Sequence, residues 1–493
     1  MAVLGILILL FVLYLITQVV YNLYLHPLSK YPGPPLWRAF RLPFLLANIQ
    51  GQLPHRIRDF HARYGDVIRV APDELSFVDP RAWRDIYLSD REFVRPQQYK
   101  DQPPGKTAAN LIACSEAEHA RLRKALAPSF SERTAMQQEP ILQRYIDLLF
   151  HKLDAQIHDA SSTAAEVDLV EWINYLAFDV IGDLTWGSSF GCLEGLRYHP
   201  WVQTVSQFKA AIIVGALKFY PPLHRLLMAS TPAEALKPVM EMWKVTETKV
   251  AERVAASTAG AAAAITRPDF VGTMLASQAM TQEEIEVNAM LIVAAGSESI
   301  TTVLTGVINH LLQKEERTSL SELVTLLRRT FSAEHEITAT RLKALPYLDA
   351  VLMEGMRLCP TIPDAMRRLV PRGSAIVAGQ TVPAGITVSI PPWAAYRAGR
   401  NFTSPNEFAP ARWLGGDERF RTDHPTRAFH PFSLGAHNCP GQNLAWMELR
   451  LVLARLLWRY DLTAVDLPVW EKQGIWWFWD KSPAVVRIAT ASR

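Results

Sequence analysis

Cysteine is scarce in this 493-residue chain. There are four, Cys114, Cys192, Cys359 and Cys439, and no two form a Cys-x-x-Cys pair. That spacing excludes a zinc ribbon and a disulfide-built scaffold, so a cysteine that does chemistry here acts alone. An excess of one charge is also missing. Lys and Arg number 51 against 48 Asp and Glu, a net of +3, without the basic surplus of a nucleic-acid binder. Charged residues make up only 20% and apolar ones 49%, which excludes disorder over most of the length and supplies a deep core. No segment repeats at a fixed period. No Gly-x-Gly-x-x-Gly follows a strand pattern. Gly105-Lys106-Thr107 mimics the end of a phosphate loop, but Lys100 stands where that loop needs its first glycine. The chain therefore carries no ATP or NAD(P)H site of its own.

What is present begins with an apolar run. Between Val3 and Val20 there are 14 Val, Leu, Ile or Phe residues, the first charge is Lys30, and no acid precedes Asp59. Such a run is long enough to cross a bilayer as one helix. A cleaved signal peptide would show a basic start and small residues at its end, where Tyr14, Tyr21 and Tyr24 stand instead. The expectation is a retained anchor over 1–25. Lys30, Arg38 and Arg41 behind it leave the rest on the cytosolic side. Prolines 27, 32, 34 and 35 predict a stiff, extended hinge over 26–36.

Beyond the hinge, helical periodicity dominates: 116–127, 136–158, 166–187, 233–257, 282–314, 319–331, 346–358 and 442–460. Strand-like pieces fall at 67–70, 73–77, 375–377, 387–390 and near the C-terminus. Residues 255–264, rich in alanine, predict a loop. The fold class expected is mainly α with small β-sheets, as one large domain over 37–493. Asn401-Phe402-Thr403 is a glycosylation sequon that stays unmodified in a cytosolic domain.

The most informative segment is 431–462. From Gln442 it reads as an amphipathic helix, with Leu444, Leu449, Leu453, Leu456 and Leu457 apolar and Glu448, Arg450, Arg455 and Arg459 polar. Cys439 stands just before it. Unpaired N–H groups at a helix start favour a thiolate and predict a lowered thiol pKa. Gly435 and Gly441 let backbone and a flat ligand approach closely. The plainer alternative is a cysteine that only packs.

Phe432, Gly435, Cys439 and Gly441 form Phe-x-x-Gly-x-x-x-Cys-x-Gly, and here the sequence resembles the cytochrome P450 superfamily, in particular membrane-anchored fungal members. The resemblance implies a P450 fold and a haem b whose iron takes Cys439 as axial ligand. Three further motifs follow the same resemblance. Glu354-Gly-Met-Arg357 is similar to the family's buried ion pair, which Arg412 completes; Ala411 stands where the family commonly has Glu. Ala295, Gly296, Glu298 and Ser299 are similar to its oxygen-binding segment. A small residue there makes room beside the iron, and an acid and a hydroxyl relay protons. Ser299 replaces the usual Thr, and Thr301 or Thr302 substitutes only if the helix is displaced. Gly296 in mid-helix also fits close helix packing. His119 and Arg123 match the positions that face haem propionates, as does Arg368. His437 replaces the usual Arg two residues before the ligand and offers fewer donors, so a weaker grip on haem is expected.

The implied function is a monooxygenase acting on a hydrophobic small molecule, in fungal secondary metabolism. Its electrons come from an NADPH-cytochrome P450 reductase, with cytochrome b5 as a further partner, at the endoplasmic reticulum membrane. Arg121, Lys124, Arg450 and Arg455 are candidates for the reductase-docking face. By the same analogy, candidates for the substrate pocket are Phe208, Ile212, Ile213, Ile292, Ile362, Met366, Trp476 and Trp477. Two rivals remain: a haem-thiolate isomerase or dehydratase that needs neither O₂ nor reductase, and a non-enzymatic haem- or lipid-binding membrane protein.

Overall fold

In the computed structural model, residues 2–89, 93–97, 100, 105–159, 163–205, 214–258 and 269–491 are described. The apolar run forms helix α1, Ala2–Val20, continued by a wider turn over Tyr21–Leu25. Within Val3–Leu25 the most apolar stretch of 18 residues has a mean hydropathy of 2.8 and none of its residues buried. The segment after them is not an extended hinge. Residues 26–31 turn tightly before a short extended stretch, and Leu28 and Tyr31 are buried with Leu75 and Phe77. The Arg69 guanidinium, itself fully buried, donates to the carbonyls of Asn22 at 2.6 Å and Pro72 at 2.6 and 3.0 Å. The end of the apolar segment is thereby tied to the first sheet.

The long helices lie close to the sequence expectation: α2 Glu116–Leu126, α3 Glu132–Asp159, α4 Leu169–Trp186, α5 Ala233–Thr258, α6 Gln282–Leu311, α7 Arg317–Thr330, α8 Pro346–Leu358 and α9 Gln442–Arg459. α2 and α6 open on capping boxes, Ser115 with Glu118 and Thr281 with Glu284, which satisfy N–H groups left over at a helix start. α6 is apolar nearly all round and packs along α4, α8 and α9, as a core helix must. α9 buries its leucines as expected, but it also buries Glu448 and Arg455, so these do not form a solvated face.

The sheets are small. Strands β1 Val67–Ala71, β2 Glu74–Phe77, β4 Arg368–Leu369 and β7 Thr387–Ser389 form one sheet in the order β1-β2-β7-β4, with β2 and β7 parallel. β3 Ala164–Asp168, β8 Tyr460–Asp466 and β11 Val485–Thr490 form a second, with β11 in the centre. β3 occupies residues expected as a loop and helix start. Two hairpins complete the set, β5 Ala375–Val377 with β6 Gln380–Val382, and β9 Ile475–Trp476 with β10 Phe478–Trp479. The 255–264 stretch falls mostly outside the described residues; α5 covers its start to Thr258.

Candidate active site

Cys439 sits on a loop fixed from both sides. Its backbone N–H donates to the Phe432 carbonyl at 2.8 Å, and α9 begins three residues on. Gly435 has φ +73°, and a Cβ there would lie 2.0 Å from the Tyr87 carbonyl oxygen, so only glycine fits. Gly435 thus serves the packing of this loop on Tyr87. At Gly441 a Cβ would meet nothing closer than Phe130 at 3.8 Å and the Cys439 sulfur at 4.0 Å, which leaves room beside the sulfur. Phe432 packs against the main core.

Of the four cysteines only Cys439 is accessible. Protein still surrounds it closely enough that desolvation pushes its thiol pKa up, against the Gly441 N–H and the Arg123 guanidinium, which pull it down. The lowered thiol expected from the helix start is therefore not found. Accessibility together with desolvation means that the sulfur faces a space inside the protein. A cation against the sulfur would be needed to stabilise the thiolate there.

Beside it lies a ring of basic groups. Arg123 donates to Asn438 twice, to the carbonyl at 2.8 Å and to Oδ1 at 2.5 Å. Arg368 is buried over the Tyr87 ring and donates to the Arg367 carbonyl at 3.0 Å. Arg95, which the sequence did not single out, is buried and donates to the Ile112 carbonyl. Burial, then the nearby Arg368, lowers its pKa to about 10. Burial likewise lowers Arg123 and Arg368. Among the described residues, none of these three guanidinium groups has a carboxylate within ion-pair distance. Enclosed charge without a counter-ion is costly, so the ring suits an anionic ligand group such as a haem propionate.

His437 does not extend that ring as a donor. Its Nε2 lies 2.7 Å from the Glu116 carboxylate, which can only accept, so Nε2 carries the hydrogen. Its Nδ1 is then the lone-pair side, with the Arg95 guanidinium 3.5 Å away. Both ring nitrogens are engaged within the protein. Burial, then Arg95 and Arg368, lowers His437 to about 3, and the neutral ring packs against His119 at 3.9 Å between centroids, tilted by 40°. His119 is itself lowered to about 4 by burial and by His437.

α6 supplies the second wall. It runs unbroken, and Ala295 is exposed in the middle of this otherwise buried helix, so it faces an internal space. The Ser299 hydroxyl donates to the Ala295 carbonyl one turn back. Gly296 has a packing reason: a Cβ there would meet Ile181 of α4 at 2.7 Å. Glu298 is buried and its Oε2 accepts from Lys481 Nζ at 2.6 Å. Thr301 and Thr302 are fully buried and the helix is not displaced to bring them forward.

The third cluster is closed. Glu354 takes Arg357 through two bonds of 2.8 Å and Arg412 at 3.4 Å. It also accepts the Ala409 N–H and the Trp413 indole N–H, each at 2.9 Å. Burial works to raise the Glu354 carboxyl, but Arg357 and these bonds outweigh it and hold it below its ordinary value. Arg412 also pairs with Asp423. Asp423 supplies a carboxylate to the network although position 411 is alanine.

A family model described as Cytochrome P450 matches residues 32–473. Averantin hydroxylase of Dothistroma septosporum is 39% identical over 97% of this chain and 89% of its own length. Cytochrome P450 monooxygenase atr2 of Stereocaulon alpinum is 37% identical over 97% and 94%, and stcF of Emericella nidulans is 37% identical over 98% and 99%. The chain belongs to the cytochrome P450 family. It is a monooxygenase of the kind found in fungal secondary metabolism, and the isomerase alternative is not favoured.

Several expectations change in this P450. Of the docking candidates, Arg121 is paired with Glu284, Arg450 with Asp349, and buried Arg455 with Asp147 and Glu334. Among the candidates, that leaves exposed Lys124 without a recorded ion pair. Trp476 is a clamp more than a pocket wall. Its indole donates to the Ile49 carbonyl at 2.9 Å, and its ring fills the space that a side chain at Gly51 or Gly474 would need. Trp477 forms the tip of the β9–β10 hairpin with φ +73°, a strained value for tryptophan. Ile292, Ile362 and Met366 are half-buried, whereas Phe208, Ile212 and Ile213 lie outside the described residues. The phosphate-loop mimic is spent on structure, with Lys106 held by Glu247 and Glu286. The Asn401 amide is buried and donates to the Val78 and Ala395 carbonyls.

Proposed function

We propose that Cys439 is the axial ligand of a haem b whose propionates lie among Arg95, Arg123 and Arg368, and that the P450 thereby oxygenates a hydrophobic secondary metabolite. The observation that supports this most is a set of three guanidinium groups, Arg95 and Arg368 buried and Arg123 half-buried, with no carboxylate in ion-pair reach among the described residues and an accessible cysteine beside them. Haem, when bound, supplies the activation of O₂ that places one oxygen atom in an unreactive C–H or C=C bond.

The chain's own residues set the conditions. The Phe432–Gly441 loop holds the sulfur at a fixed place. Ala295 presents only a methyl group to the interior, which leaves space over the ligand face. Ser299 spends its hydroxyl hydrogen on the Ala295 carbonyl and keeps its lone pairs free to accept a proton-bearing group. Glu298 is the nearby acid. Ile292, Ile362 and Met366 give the pocket an apolar lining that excludes water and favours a hydrophobic substrate.

With no nucleotide motif in the chain, electrons come from an NADPH-cytochrome P450 reductase, with cytochrome b5 as a further donor. Lys30, Arg38 and Arg41 behind the apolar helix put the catalytic part on the cytosolic side of the endoplasmic reticulum membrane, as a single-pass protein. The relative named averantin hydroxylase makes hydroxylation the first reaction to test.

The test is turnover of a panel of hydrophobic metabolites with reductase, NADPH and ¹⁸O₂, comparing the parent with Cys439→Ala. Label in the product of the parent alone supports the reading. A parent without a thiolate-type ferrous carbonyl spectrum, or product that forms without O₂, overturns it.

A further inference from the structure

A polar cavity of about 370 Å³ lies between the start of α4, the 198–203 segment and the residues just after the β9–β10 hairpin. Asp168, Glu171, Asn174 and Tyr198 line it, and its rim includes the exposed residues Gln203, Asp480 and Pro483. Glu298 and Lys481 also line it, and both side chains are almost fully enclosed, 7% and 5% exposed. The cavity therefore runs from an exposed rim to a buried ion pair. Its walls can hold ordered water, because they offer several polar partners within a space that fits more than one molecule.

The ion pair itself joins two distant parts of the chain. Lys481 follows the C-terminal hairpin, whose base is closed by the Asp480 N–H donating to the Gly474 carbonyl at 2.8 Å. Its ammonium is 2.6 Å from Glu298 and 3.5 Å from the Thr302 hydroxyl. Ala295 and Ser299, one turn back from Glu298 and next to it on α6, remain accessible on the interior side. Glu298 thus stands in the wall between the cavity and the space that Ala295 faces, and Lys481 decides which way its carboxylate is turned.

We propose that Lys481 is a positioning residue that holds Glu298 at the inner end of a proton entry route running through this cavity. Each of the two protons consumed per turnover passes from cavity water to the Glu298 carboxylate and leaves on the Ser299 side. Glu298 returns to its starting state, and Lys481 keeps its own protons throughout. This rests on the monooxygenase reading above. A carboxylate held wrongly still lets electrons reach O₂ but delivers protons late, so reducing equivalents are lost as peroxide.

The experiment uses the full-length holoenzyme and compares the parent with Lys481→Met, Lys481→Arg, Glu298→Gln and the double variant. Lys481→Met is expected to shift the ratio of product to hydrogen peroxide per NADPH by roughly tenfold toward peroxide and to raise the solvent isotope effect, with the ferrous carbonyl spectrum unchanged. Lys481→Arg should restore most of the parent ratio. In the Glu298→Gln background, Lys481→Met should add nothing, and thermal unfolding should show the same non-additivity. Should Lys481→Met not fold, Lys481→Gln, whose shorter, uncharged side chain does not reach Glu298 as the ammonium does, carries the same readings. An unchanged ratio and isotope effect with an intact spectrum, or effects of Lys481→Met and Glu298→Gln that multiply, overturns the proposal while the monooxygenase reading stands. A parent with no O₂-dependent product overturns that reading, and this proposal with it.

Discussion

Two groups of buried and half-buried arginines lie in the same domain and are finished in opposite ways. Around Glu354, Arg357 and Arg412 meet carboxylates, and their remaining donors reach backbone carbonyls of Tyr396, Pro405, Glu407 and Thr403. Around Cys439, Arg95, Arg123 and Arg368 reach carbonyl and amide oxygens but, among the described residues, no carboxylate. The closed cluster balances its charge within the chain and is architecture. The open one leaves a charge for something else to balance, and its geometry is that of a binding site. Burial of charge alone does not separate the two; the presence or absence of an internal counter-ion does.

The largest effect expected from breaking this comparison is at Glu354. Glu354→Ala leaves buried Arg357 without its carboxylate and Arg412 with Asp423 alone, a loss of about 3–5 kcal/mol. Thermal unfolding should drop steeply, with or without haem. Arg95→Met should do the reverse in haem-free protein, because it removes a buried charge that no carboxylate among the described residues pairs with directly. There the unfolding temperature should not fall. Retention of haem should weaken by about tenfold, a loss of about 1.4 kcal/mol, measured as the rate of haem transfer to an excess of apomyoglobin. A fall in haem-free stability comparable to that of Glu354→Ala would erase the distinction between the clusters.

The smallest effect sharpens the same point at a single carboxyl. Glu448 is buried in α9 with one oxygen unpartnered, and desolvation pushes its pKa up to about 8. The folded state therefore binds this proton more tightly than the unfolded chain, where the pKa is about 4.3. Its contribution to stability is complete below that lower value and is lost as pH rises through about 8. Glu448→Gln cannot lose a proton, so its unfolding temperature should gain on the parent as pH rises from about 4 to about 8 and level off above that. A difference that stays constant with pH would show that the carboxyl is not held neutral.

Much of this could be read in the sequence because it is local. α6 was legible from thirty residues without proline, and α9 from its leucines. Cys439 stood out through the spacing of Phe432, Gly435 and Gly441 around it. What was not legible depends on partners far away in the chain. β3 is a strand because β11, more than 300 residues later, pairs with it; by itself the segment reads as the start of a helix. Arg95 and Lys481 sit in short connecting segments with no periodicity, and only the fold shows that one borders the Cys439 loop and the other meets Glu298. Glu448 and Arg455 look like the wet side of a helix until α3, α7 and α8 are packed around it. His437 was weighed for the donors it lacks relative to Arg, whereas the Glu116 contact that fixes its tautomer is a matter of tertiary structure.

The bonds from Arg69 to Asn22 and Pro72 join the foot of the apolar helix to the catalytic body without a swivel. A bilayer gripping residues 3–25 would therefore hold that body at one attitude, and any mouth on its surface would meet the lipid at a fixed height and angle. The tilt of the body against such a bilayer would thus pass through one guanidinium that holds the Asn22 carbonyl with one hydrogen bond and Pro72 of its own sheet with two.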